Sequence, residues 1–88
     1  MILLTGIRHS GGNLVIESSR EFSDGTPDEE LDSVVDQELE GKANGWAASF
    51  LVDSHRPACQ EAYEVYVREF GDDNAKLIDN VWGVLVDD

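Results

Sequence analysis

Two side chains with reactive chemistry, His55 and Cys59, stand four residues apart. At that spacing near a helix start they would share one face, where the helix dipole lowers a thiol pKa, and a cysteine–histidine nucleophile is the chemistry to look for. Such a nucleophile also needs the imidazole within hydrogen-bond reach and an oxyanion site. Pro57 lies between them and puts His55 ahead of the helix, while Cys59 falls on the apolar stripe, so Cys59 reads as a small core residue. His9, Asp53, His55 and Cys59 make a metal centre only if the fold gathers them, because the close ligand pair of structural zinc sites is missing. Ser10-Gly11-Gly12 lacks the lysine and the glycine spacing of a phosphate loop and reads as a turn. Carboxylates are so abundant that no pair of them points to glycosidase-type acid–base work. The sequence therefore predicts no catalytic residue, no cofactor and no metal.

The other chemistry is charge. Positions 21–40 carry nine acids and no base: Glu21, Asp24, Asp28, Glu29, Glu30, Asp32, Asp36, Glu38 and Glu40. That is about twice what an even spread of the nineteen acids would place there. Asp28, Asp32, Asp36 and Glu40 recur every fourth residue, which stacks them on one face of a helix about 6 Å apart along its axis. Neighbouring phosphates of a nucleic-acid strand have a comparable spacing. Each like-charged pair at that separation destabilises a helix by about 0.2–0.5 kcal/mol, and no Lys or Arg relieves them. Solvated helices commonly intersperse the two signs, so a one-signed face suggests a use.

The elements that must position these residues are legible from spacing. Ile2–Ile7 is apolar, His9–Asn13 is rich in turn formers, and Leu14, Ile16 and Phe22 share a parity opposite Glu17, Ser19 and Glu21. Residues Ile2–Phe22 thus read as a β-hairpin with a five-residue loop. Ser23-Asp24-Gly25 breaks the strand. Thr26 as cap, Pro27 in the first turn and Glu29 after it open a helix, Pro27–Glu40, with Leu31, Val34, Val35 and Leu39 on its apolar face and Gly41 at its end. Trp46, Ala48, Phe50 and Val52 suggest a third strand ending near Asp53. Cys59, Ala62, Tyr63, Tyr66 and Phe70 suggest a second helix, about Pro57–Phe70, closed by Gly71. The last fifteen residues fit either a helical stripe or a strand; a helical turn around Asn74–Asp79 followed by a strand suits the β-rich Val81–Val86 run. The expected architecture is one α+β domain over residues 1–88, ββαβαβ, with two helices on one face of a small, mainly antiparallel sheet.

Composition bounds what such a domain can do. Six basic residues against nineteen acids give a net charge of −13, which repels phosphates and anionic membrane surfaces. An apolar fraction of 41% is too high for a disordered acidic tail. A lone cysteine forms no internal disulfide, and no leader or membrane-length apolar run is visible, so a cytoplasmic protein is expected. Trp46, Trp82, Tyr63 and Tyr66 are expected mostly in the core, with Tyr63 the first candidate for exposure. A symmetric dimer that seals leftover apolar surface is compatible with the sequence.

By charge, length and the acidic helix, the chain resembles the small acidic inhibitors that phages encode against host nucleases, including anti-restriction and anti-CRISPR proteins that act as nucleic-acid mimics. The resemblance implies a cytoplasmic, non-catalytic inhibitor, in the host cytoplasm if phage-encoded, and it carries no site residues across. The expected partner is a basic nucleic-acid-binding protein or nuclease complex rather than nucleic acid or membrane. Asp28, Asp32, Asp36 and Glu40 form the expected contact row, and Glu29, Glu30, Asp24 and Glu21 add supporting charge that raises the association rate. Two alternatives stand beside this reading. One is an immunity protein or antitoxin that caps a basic nuclease toxin; the other is a salt-adapted acidic domain.

Overall fold

The computed structural model describes residues 1–9, 12–69 and 75–86. Strands β1 (Ile2–Arg8) and β2 (Leu14–Glu21) form the expected hairpin, followed by helix α1 (Asp28–Leu39), strand β3 (Gly45–Phe50), helix α2 (His55–Ala62) and strand β4 (Leu77–Asp79). Beyond Ala62 the helix continues as wider π-type turns over Tyr63–Arg68. Its expected end at Phe70 and Gly71, and the start of the expected helical turn at Asn74, lie outside the described residues; the rest of that turn is corrected, since Leu77–Asp79 is strand β4, paired with β2. The four strands make a mixed sheet in the order β3-β1-β2-β4, antiparallel except for the β2–β4 pair. The α+β class and the ββαβαβ order are those expected. Among the described residues, no helix is long and apolar enough to cross a membrane.

The helices do not share a face, which corrects one expectation. Leu3, Ala47 and Ser49 line a groove with Leu31 and Val35 of α1, and Leu39 of α1 sits against Gly45. Ile2, Leu4 and Phe50, of the opposite parity, pack instead with Ala58, Cys59 and Ala62 of α2. Topology supplies the reason. Because β1 is antiparallel to both its neighbours, β2 and β3 run the same way, and β4 runs with β2. The connection through α1 therefore crosses the sheet towards β3, and the connection through α2 crosses back towards β4. Crossovers between parallel strands are almost always right-handed, and two of the same hand running in opposite directions must use opposite faces.

Two further details depart from the sequence reading. At β2 the register with β1 shifts, since Thr5 pairs with Ser18 but Gly6 with Ile16, leaving Glu17 as the extra residue of a bulge. Leu14 and Ile16 thus share the α2 face with Leu4, while Arg20 is turned to the α1 face and pairs with Glu38. At the start of α1 the Thr26 hydroxyl donates to the Ser23 carbonyl oxygen at 2.8 Å, so Pro27 rather than Thr26 is the capping residue and no side chain caps the helix. The other end is as expected: Glu40 leaves the helix, and Gly41 takes the left-handed conformation at φ +76° that glycine adopts without strain.

The core lies mainly on the α2 face, where Leu4, Leu14, Ile16, Cys59 and Val67 are sealed from solvent. Trp46 and Phe50 meet Tyr66 edge-on, with ring centroids 5.2 and 6.2 Å apart. Tyr63 is half-buried against this core rather than exposed. Trp82 is the aromatic on the surface, 68% exposed. Arg8 donates to the Tyr66 carbonyl oxygen, tying β1 to the wide turns.

Candidate functional site

Two arrangements could carry function, one on each face of the sheet. On the first face, α1 buries only Leu31; Val34, Val35 and Leu39 are half-buried. The rest of the helix is carboxylate except for Ser33 and Gln37. Asp28, Glu29, Glu30, Asp32 and Asp36 are exposed, as are Glu40 just past the helix end and Glu21 and Asp24 ahead of it. Among the described residues, the ion pairs that touch this region are Arg20–Glu38 and the N-terminal ammonium with Asp24 at 3.1 Å. Asp24 is thus engaged within the molecule, whereas Asp28, Asp32, Asp36 and Glu40 have no cationic partner among the described residues. Glu40 is the residue at which the helix ends: its φ of −55° is still helical and its ψ of 126° turns the following chain away, so the helix itself carries three of the four and Glu40 stands at its end. Asp28 and Asp32 also rim the groove between α1 and β3, a depression of about 380 Å³ floored by Leu3, Ala47 and Ser49.

On the other face, the fold does gather His55 and Cys59, with Asp79 as the third member rather than Asp53 or His9. Helix α2 begins at His55, not after it, because Pro57 falls in the first turn, where the missing N–H removes no helical bond. His55 and Cys59 therefore do share a face. Asp79 arrives from the end of β4, held beside Ile16 by the parallel pairing and by Asn80 N–H donating to the Ile16 carbonyl oxygen at 2.9 Å. Its carboxylate organises the chain that follows: Oδ1 accepts Val81 N–H at 2.9 Å, and Oδ2 accepts Val84 N–H at 2.9 Å. Those bonds explain why residues 80–82 turn and the β-rich Val81–Val86 run does not continue as a strand.

Within this cluster His55 Nε2 lies 2.8 Å from Asp79 Oδ2 and 3.3 Å from Cys59 Sγ. The His55 and Asp79 side chains are 2% and 0% exposed, and Cys59 is fully buried. The Trp82 indole packs on the imidazole with centroids 4.7 Å apart, its outer side in solvent. Burial alone would raise the Asp79 carboxyl. Hydrogen bonds from His55, Val84 and Val81, with the attraction of a cationic imidazole, outweigh it and hold the group below the ordinary carboxylate value. Burial, and then the Asp79 charge, push the Cys59 thiol up to about 12.

This is not the geometry of a thiolate relay. A cysteine–histidine–aspartate relay puts the thiol on one ring nitrogen and the carboxylate on the other. Here both meet Nε2, and Nδ1 is buried without a hydrogen-bond partner. A thiol with so high a pKa is also the reverse of an activated nucleophile. What the arrangement can do is hold a proton, or an ion in its place, among sulfur, nitrogen and oxygen. The spacing of His55 and Cys59 signalled half of this site. Asp79 lies twenty-four residues from His55 and had no local signal.

No known protein family matches the chain, and no curated protein or solved structure is detectably similar to it.

Proposed function

We propose that this protein is a non-catalytic binding protein whose acidic helix occupies a Lys/Arg-lined groove of a nucleic-acid-binding protein or nuclease complex, in the place of nucleic acid. The observation that carries the reading is the row on α1: Asp28, Asp32 and Asp36 stand exposed, one turn apart and, among the described residues, without cationic partners, on the helix that packs on the face of the sheet opposite α2. A partner that neutralises the row would relieve the repulsion the free protein bears. Glu40, Glu29 and Glu30 extend the same field, and Glu21 lies at its edge. Charge of this kind steers association and makes it salt-sensitive. An inhibitor of this sort fits the phage-encoded class that the chain resembles in size and charge.

The test pairs wild type with a variant carrying Asp28→Asn, Asp32→Asn, Asp36→Asn and Glu40→Gln, both used as bait in a cell extract at low salt. The expected result is recovery of a basic nucleic-acid-binding protein by wild type alone, with release by added nucleic acid and by rising ionic strength. Equal recovery by both baits, or binding indifferent to salt, overturns the reading.

A further inference from the structure

We propose that Cys59 Sγ, His55 Nε2 and a carboxylate oxygen of Asp79 are the ligands of a buried site for one zinc-class divalent ion. The inference is independent of the acidic helix, which lies on the other face of the sheet. Sulfur, imidazole nitrogen and carboxylate oxygen together are a donor set that suits zinc and cobalt and suits magnesium or calcium poorly. The three ligand atoms lie within 4.8 Å of one another. Tetrahedral bonds of zinc length place such atoms about 3.3–3.6 Å apart. The Sγ–Nε2 distance of 3.3 Å already stands at that spacing, the Nε2–Oδ2 distance of 2.8 Å must widen by about half an ångström, and the separation of the sulfur from the carboxylate oxygen, up to 4.8 Å, must close by about an ångström.

The surroundings support the ion as well as the ligands do. Asp79 is fixed by the N–H groups of Val81 and Val84, the outer hydrogen bonds that orient a ligating carboxylate. One thiolate and one carboxylate neutralise a divalent charge, so the loaded cluster is neutral in a dry interior, where an uncompensated charge would be costly. Without the ion, a single nitrogen serves both neighbours, and the donor it presents to Asp79 leaves Cys59 with a weak contact. With the ion, all three atoms are satisfied at once. Binding sends the thiol proton to solvent; the Nε2 hydrogen also leaves, to solvent from a cationic imidazole or to Nδ1 from a neutral one, so the ligating imidazole is neutral and carries its hydrogen at Nδ1. Because Nδ1 meets no acceptor, the site binds about 10–100-fold more weakly than one whose histidine is backed by a carboxylate. The bound ion would tie α2 to β4, two elements far apart in sequence.

Reduced, metal-free protein titrated with cobalt(II) is the decisive measurement. Thiolate coordination gives an intense near-ultraviolet charge-transfer band and tetrahedral visible bands, which the many surface carboxylates cannot produce. The expected result is saturation at one equivalent, displacement by zinc, and a rise in Tm with either metal. Cys59→Ala should abolish the charge-transfer band and lower zinc affinity at least about 100-fold, with circular dichroism reporting that the variant is folded. Absence of the band in wild type overturns the proposal without reference to any variant, and so does a band that survives in Cys59→Ala.

Discussion

Asp79 does three things with one carboxylate: it meets His55 across the core, and it holds the N–H groups of Val81 and Val84. Its pKa is depressed in the folded chain, so the unfolded chain binds more protons near its ordinary value of 3.8. The stability this group contributes is therefore present above that pH and is lost as the pH falls through the depressed folded value. Cys59 is the reverse case. Its pKa rises from 9.0 to about 12, so its contribution is complete below pH 9 and is lost as the pH climbs towards 12. Denaturant unfolding of chelator-treated protein across pH should show both limbs. Asp79→Asn should lower stability at neutral pH and flatten the acid limb, and Cys59→Ala should flatten the alkaline one. An acid limb unchanged in Asp79→Asn would show that other carboxylates govern it. At this scale the sequence is informative only over short range. The spacing of His55 and Cys59 raised them as a pair, but Pro57 read as putting His55 ahead of the helix, although a proline in the first turn does not; Asp79 depends on where a three-residue strand docks, which no local pattern encodes.

The elements themselves were legible wherever burial imposed a period, and their relations were not. A continuous apolar run marks β1, which is buried on both sides; alternation marks β2, and Leu31, Val34, Val35 and Leu39 mark α1, because one side of each faces apolar neighbours. The side of the sheet each helix takes is set by the direction of its crossover, a property of strand order rather than of any segment. The bulge at Glu17 has no glycine or proline to announce it on its own strand. Its signal is Gly6 on the partner strand, where a Cβ would stand 1.8 Å from the Val15 carbonyl oxygen. Gly6→Ala must therefore move backbone in the central hairpin and should cost at least about 3 kcal/mol in chemical denaturation, near the upper end for single substitutions. Gly45→Ala is the control: its Cβ would meet the Leu39 methyls at 3.1 Å and the Leu39 Cβ at 3.2 Å, contacts relieved by a few tenths of an ångström of movement in α1 rather than by parting two paired strands. Its cost should be under about 1 kcal/mol. Equal costs for the two would mean that the β1–β2 backbones are not held as closely as the bulge requires.

For the whole molecule, charge acts over distances comparable with its size. The chain spans 35 × 29 × 22 Å, and the screening length is about 30 Å at 0.01 M salt but about 3 Å at 1 M. At low salt each acid repels acids on the far side of the fold; at high salt it feels only near neighbours. Folding and partner binding should therefore respond to salt with opposite signs. Stability should rise as self-repulsion is screened, and each kcal/mol gained moves Tm by about 4–8 °C in a domain of this size. Binding through the acidic helix should weaken over the same range. The variant that neutralises Asp28, Asp32, Asp36 and Glu40 removes four charges and takes −13 to −9, so its Tm should start higher at low salt and climb less. Thermal melts of both proteins across this series separate a local cost on α1 from a field spread over the molecule. Convergence of the two curves at high salt places the cost in long-range repulsion. A gap that persists at 1 M, where members of the row about 6 Å apart stand about two screening lengths from each other, is not repulsion and places the difference in the helix-forming preferences of the exchanged residues on α1.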